Sequence, residues 1–238
     1  MNMNCGIESI VIRRYGGKGS GNIGHSGRPG QVGGSSSRIG GTTKVKLPKV
    51  SELTKKQLDE LVEENWIKFT QTEKGTIQFY TQSGYKFINK PLRKGTKFSD
   101  EIGEHIGFLE SAIKKSNPLK ENIITYRQST INSLGIDNII FQGNNAKKLI
   151  GKVVQDDGFC STAAFGKYSK TDELGGGVIF NIRVPKNKRV LFIGNRSKIG
   201  IEDFEILLPR KSKFKIIDAI IKRDSNNLKY LSIDCGVI

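Results

Sequence analysis

The chain has 238 residues, 36% of them hydrophobic and 26% charged, with 39 Lys and Arg against 23 Asp and Glu for a formal net charge of +16. That length and apolar share suit one sizeable core or two small lobes, and no run of about 18 apolar residues is present to span a bilayer as a helix. Three widely spaced cysteines (Cys5, Cys160, Cys235) and two histidines (His25, His105) support neither a disulfide framework nor a zinc site, so a reducing compartment and no metal are expected.

At the N-terminus, "MNMNCGIESIVIRRYGG" has neither a clear basic start nor a long apolar stretch with a small-residue cleavage site, so classical secretion is not expected. Residues 1–44 hold six basic residues and one acid, a net of +5, which leaves +11 for residues 45–238. The positive excess is thus spread through the chain. It would attract any polyanion, whether nucleic acid, an acidic protein surface or a phosphate-bearing ligand, without choosing among them. Between Gly16 and Gly41 there are 11 glycines and almost nothing to build a core. Fixing such a backbone costs much entropy for little burial, so residues 1–44 read as a flexible, disordered arm. Gly19, Gly21 and Gly24 match G-x-G-x-x-G, but His-Ser-Gly-Arg-Pro-Gly follows where a helix should open, and the next acid is Glu52. A dinucleotide-binding Rossmann turn is therefore not expected.

From residue 51 the pattern becomes helical. "LTKKQLDELVEENW" starts with Thr54 and Gln57 at capping-box spacing, and "SDEIGEHIGFLESAIKK" sets Ile102, Ile106, Leu109 and Ile113 on one face before Asn117-Pro118. Between them, "TIQFYTQSGYKFINKPLRK" predicts a helix interrupted near Gly84. His105 reads as an ordinary half-buried helix residue. After residue 120 come short β-rich runs: "NIITYR", "KLIGKVVQ", "GFCSTAA", "GVIFNIRVP", "RVLFIG", "FEILLPR", "FKIIDAIIKR" and "LKYLSI". Helices first and strands afterwards predict an α+β fold, helical over about 51–116 and a β core over about 121–238.

The run "IEDFEILLPR" puts acids beside an apolar strand in a basic chain. In an extended strand Asp203 and Glu205 would share one face with α-carbons roughly 6 to 7 Å apart, and Glu202 would point the other way. A solvated acidic edge and a chemical pair are equally open on this segment alone.

Taken in order, "ITYR" (Tyr126, Arg127), "GFCSTA" (Gly158 to Ala163) and "EDFEILLPR" resemble the Arg / Ser-Thr-Ser / Glu-x-Glu signature of the ADP-ribosyltransferase exoenzymes and actin-modifying toxins. The resemblance extends through "YTQSGYKFINKPLR", "IRVPKNKRVLFI" and "LLPRKSKFKIID", from about residue 50 to the end. Asp203 stands where the family usually has Glu or Gln, and Ala163 replaces the last Ser of the middle motif. The resemblance implies a helical lobe packed on a two-sheet mixed β core over residues 45–238, with NAD as co-substrate. It also implies catalytic roles for Glu205 and Asp203 and NAD-binding roles for Arg127, Tyr126, Ser161 and Thr162. Glu205 would stabilise the oxocarbenium-like ribose, and Asp203 would orient or deprotonate the acceptor. Arg127 would grip the pyrophosphate, Ser161 would fix the Glu205 rotamer, and Thr162 would tie neighbouring strands. Cys160 has no histidine in a catalytic context and reads as a small buried side chain. The loop "GKYSKTDELGGG" would border the site, with Tyr168 and Lys170 as lining candidates.

The implied activity is mono-ADP-ribosyl transfer to a protein side chain of a host-cell acceptor, arginine favoured. The alternatives are an NAD glycohydrolase, and a catalytically decayed phage structural or nucleic-acid-binding protein. "GNIGHSGRPGQVGGS" resembles a spacer of tailed-phage head and morphogenesis proteins. That resemblance implies a phage or prophage source, a capsid partner for the arm, and a host-cytoplasmic or virion-associated location. The alternative location is the extracellular space, reached by a non-classical route.

Overall fold

The computed structural model describes residues 49–130, 138–143, 145–166, 177–194, 196 and 204–238. The arm over 1–44, with Tyr168, Lys170 and Asp203, lies outside them. Four helices come first. In α1 (Lys55–Trp66) the expected capping box is closed in both directions: Gln57 N donates to Thr54 Oγ1 at 3.2 Å and Thr54 N to Gln57 Oε1 at 2.9 Å. The next helix, α2 (Gln71–Phe79), starts five residues before the Thr76 expected from the sequence. Thr70 and Glu73 form a second capping box there, which the apolar pattern did not signal.

The interruption near Gly84 is a π-helical turn over Tyr80–Gly84 leading straight into α3 (Tyr85–Lys94), which stops at left-handed Gly95. Only glycine fits at Gly84, because a Cβ there would lie 2.5 Å from two Phe79 ring carbons and 2.8 Å from the Phe79 carbonyl. Helix α4 (Asp100–Lys115) is capped by Ser99, carries acids in its first turn and lysines in its last, and buries Ile106, Leu109, Ala112 and Ile113. His105 is half-buried as expected, stacked on Phe79 with ring centroids 4.5 Å apart and bonded to Thr76 Oγ1 at 3.0 Å.

Eight strands follow: β1 (Ile123–Thr130), β2 (Val153–Asp156), β3 (Cys160–Ala163), β4 (Gly177–Val184), β5 (Leu191–Gly194), β6 (Glu205–Leu208), β7 (Ser212–Arg223) and β8 (Lys229–Val237). Only the second half of "KLIGKVVQ" is a strand; Asn145–Leu149 is a 3₁₀ turn that buries Ala146 and Leu149. The sheet order is β2-β7-β8-β4-β1-β3-β6-β5, with β4 and β8 parallel and the other pairs antiparallel. Eight residue pairs join β1 to β4, but a single pair, Tyr126 opposite Ala163, joins β1 to β3. The two sheets implied by the resemblance are here joined into one eight-stranded sheet, whose two parts meet at that one-pair seam.

Strands β5 and β6 read as unbroken apolar runs because both their faces are covered. Leu191, Ile193 and Leu207 pack with α2, α3 and α4. Phe192, Ile206 and Leu208 pack instead into the larger core of β4, β7 and β8. This double burial fixes β6, and with it the position of Glu205.

Candidate active site

Three residues far apart in sequence meet at the seam. Half-buried Arg127, on β1, donates from Nη1 to the Ser161 carbonyl at 2.8 Å. Ser161, on β3, donates from Oγ to Glu205 Oε1 at 2.5 Å. The pairing explains this contact: Ser161 lies opposite Leu207 and Ala163 opposite Glu205, so Ser161 and Glu205 are diagonal neighbours on one face. Ala163 puts only a methyl group beside the carboxylate, and Ser161 supplies the hydroxyl. Thr162 faces the other way and donates from Oγ1 to the Ile206 carbonyl at 2.7 Å, tying β3 to β6.

Before β6 the backbone departs from a regular strand. Phe204 has φ 39°, a left-handed conformation uncommon for an aromatic residue, and the regular strand begins only at Glu205. The Phe204 ring is buried against Phe165, with centroids 5.0 Å apart, and its carbonyl accepts from Ala164 N at 3.1 Å. These contacts hold the turn that delivers Glu205.

Tyr126 sits at the seam itself. The Glu52 carboxylate acts on its phenol, and Glu52 Oε1 accepts from Gly166 N at 3.1 Å. Burial first, and the Glu52 charge second, push the Tyr126 phenol up to about 12. Glu52 is delivered by a short extended piece in which Ser51 pairs with Ile123 and exchanges backbone hydrogen bonds with Asn122 and Ile124.

A buried polar clamp missed by the sequence reading positions β3 from the helical side. Arg93 grips Asp156 through Nε at 2.8 Å and Nη2 at 3.0 Å, with the two side chains 5% and 0% exposed. Arg93 Nη2 also donates to the Phe159 carbonyl at 3.3 Å, and Asp156 accepts from Gly158 N at 3.0 Å. Asn89 receives Phe159 N at 2.8 Å and donates to Tyr80 Oη at 2.9 Å. The turn must approach closely, since a Cβ at Gly158 would lie 2.7 Å from Asn89 Oδ1. Tyr80 is almost fully buried, and burial and then the Glu205 charge push its phenol far up, so it stays neutral. The available signal was the spacing of Asn89 and Arg93, four apart on one helix face beside buried Ile88.

Cys160 is fully buried, and burial pushes its thiol up to about 11 despite the nearby Arg127, so it is a packing residue rather than a nucleophile. Among the described residues no cluster of three or more His, Cys, Asp or Glu could hold a metal ion. No described helix is long and apolar enough to cross a membrane.

A family described as ADP-ribosyltransferase exoenzyme matches residues 50–237. Among solved structures, Plx2a, an ADP-ribosyltransferase toxin from Paenibacillus larvae, is similar at 24% identity and a TM-score of 0.67, over 77% of this chain and 94% of that one. C3larvin toxin, an ADP-ribosyltransferase from the same organism, is similar at 25% identity and 0.63, over 74% and 100%. C3stau2 from S. aureus, solved with NAD, is similar at 20% identity and 0.64, over 80% and 99%. No curated protein matches.

Proposed function

Because the chain belongs to the ADP-ribosyltransferase exoenzyme family, whose co-substrate is NAD, we propose that it transfers ADP-ribose to a protein side chain at the seam between β1 and β3. The observation that carries this reading is the Ser161–Glu205 hydrogen bond beside the Arg127 guanidinium. One cation and one oriented carboxylate fit a ligand with an anionic diphosphate and a ribose carbon that becomes cationic.

In the reaction the bond from ribose C1′ to the pyridinium nitrogen breaks, and its electron pair leaves with neutral nicotinamide, so no general acid is required. Glu205 stabilises the cation that develops at C1′. Arg127 holds the diphosphate, and Ser161 keeps Glu205 in one rotamer. Asp203 orients the acceptor and takes the proton it loses as the new C1′ bond forms. Arginine is the favoured acceptor, since Asp203 keeps the carboxylate that family members acting on arginine carry. The resemblance of the arm to phage head proteins supports a phage-borne, toxin-type effector that acts in the host cytoplasm.

The test is nicotinamide release and protein labelling from labelled NAD in a bacterial lysate, for the wild type and two variants. Glu205→Gln should lose both activities, by on the order of 3 kcal/mol or more in transition-state stabilisation, with little change in Tm. Undiminished turnover would remove Glu205 from the chemistry. Asp203→Ala should lose labelling while keeping nicotinamide release into water. A wild type that releases nicotinamide but labels nothing would make the protein an NAD glycohydrolase.

A further inference from the structure

A cluster of cations surrounds two hollows at the far end of β6 from Glu205. Two adjoining hollows, of about 210 and 410 Å³, share Lys188, Arg189, Pro209 and Arg210. Three elements bring cations to them: Lys114 from the last turn of α4, Lys188 and Arg189 from the β4–β5 turn, and Arg210, Lys211 and Lys213 from the β6–β7 turn and the start of β7. Among the described lining residues the only carboxylate side chain, Glu110, is already paired with Arg210.

The rim is held in place rather than loosely gathered. Arg189 donates to the Ser116 carbonyl, and the backbone of the β4–β5 turn is pinned to Leu119 by Asn187 N to Leu119 O at 2.8 Å and Leu119 N to Lys188 O at 2.9 Å. Asn187 and Lys211 both have left-handed backbones (φ 70° and 62°), and Ser212 Oγ ties the second turn to the Pro209 carbonyl at 2.6 Å. Meanwhile the side chains of Lys114, Lys188 and Lys211 make no ion pair or hydrogen bond to other described residues. The ammonium groups of Lys114, Lys188 and Lys211, held near one another by this backbone, repel each other across the two adjoining hollows, and a multivalent anion would relieve that repulsion.

We propose that this pair of adjoining hollows binds, as one site, a small ligand carrying clustered phosphates. Its size favours a small molecule, since pockets for such ligands run from about 300 to 1,000 Å³. A single-stranded nucleic acid would want aromatic faces for its bases, and among the described lining residues the only aromatic one, Phe159, is fully buried. The apolar floor of Ile113, Leu208 and Pro209 excludes water from part of the hollow and strengthens the attraction. A soluble polyphosphate and a phosphorylated lipid headgroup share this chemistry.

The experiment uses the full chain at low salt. Isothermal titration with tripolyphosphate and with inositol hexakisphosphate should give micromolar binding, and Lys188→Glu with Lys211→Glu should weaken it roughly tenfold or more. Lys114→Gln with Lys188→Gln, which leaves the left-handed Lys211 turn intact, should weaken it in the same direction. A control of equal charge change, Lys222→Glu with Lys229→Glu at the other end of the β7–β8 hairpin, should change it less than about threefold. NAD turnover should be unaltered in all three. Flotation with phosphatidylcholine vesicles, with and without phosphatidylinositol bisphosphate, distinguishes a lipid source from a soluble one. Absence of wild-type binding, or equal losses in the groove and control variants, would overturn the site. Tighter binding of a 20-nucleotide DNA with the same variant sensitivity would overturn the ligand class in favour of nucleic acid.

Discussion

Glu52 faces both sides of the seam: it accepts from Gly166 N on the β3 side, and its charge acts on Tyr126 on the β1 side. The Tyr126 phenol is pushed up to about 12 from an ordinary value of 10.0, by burial first and Glu52 second. Its neutral form is therefore favoured by folding, a contribution fully present below pH 10 and lost as pH rises from about 10 through about 12. Glu52→Gln keeps an acceptor for Gly166 but removes the charge, so the Tyr126 titration, followed by NMR of ring-labelled tyrosine, should move down toward 10. An unmoved titration would mean that burial alone sets it. At this scale the meeting of Arg127, Ser161 and Glu205 was legible through the resemblance, although their contacts span 34 and 44 positions. Tyr80, Asn89 and Arg93 were not, because a polar residue on a helix normally reads as its wet face, and here that face turns inward onto the β2–β3 turn.

Among the elements, the run from α2 through the π turn to α3 sets where that clamp sits. The sequence showed that something happens near Gly84, but a glycine in a helical pattern suits a break as well as a bulge, so the unbroken run of helical residues could not be read. Gly84→Ala should destabilise the fold by about 1 to 3 kcal/mol through the forced Phe79 clash. Urea unfolding measures this, and an unchanged midpoint would mean that the π turn relaxes freely. A second tie joins α2 to α4: Lys115 Nζ reaches both Glu73 oxygens at 2.8 and 2.9 Å. Burial alone would raise the Glu73 carboxyl, but its hydrogen bonds to Lys115, Ser111 and Thr70 together outweigh it and hold the group below its ordinary 4.5. A depressed folded value means a contribution fully present above pH 4.5 and lost as pH falls through the lower, folded one. Between pH 6 and pH 3, Glu73→Gln should therefore lose less of its own stability than the wild type does. Parallel losses would show that other carboxylates dominate acid unfolding.

Over the whole molecule, the α+β class and the order of helices then strands were readable from hydrophobic period and turn residues, whereas the strand order β2-β7-β8-β4-β1-β3-β6-β5 was not. Seven of its eight members have a neighbour distant in sequence, which local patterns do not encode. The arm over residues 1–44 gives a prediction at this scale. If it is only a tether, a chain starting at Val45 should fold and release nicotinamide at the full-length rate, since the matched family begins at residue 50. Aggregation or lost turnover would move the boundary into the arm. The seam has a further consequence for how such a protein can fail. A register change of one residue between β1 and β3 would displace Arg127 from Ser161 by about 3.3 Å, while the eight pairs of β1 with β4 and the four of β3 with β6 stay intact. Inactivating substitutions that spare solubility should gather around Tyr126 and Ala163, and a silent paralogue would carry its lesion there while keeping every acid and arginine of the motif.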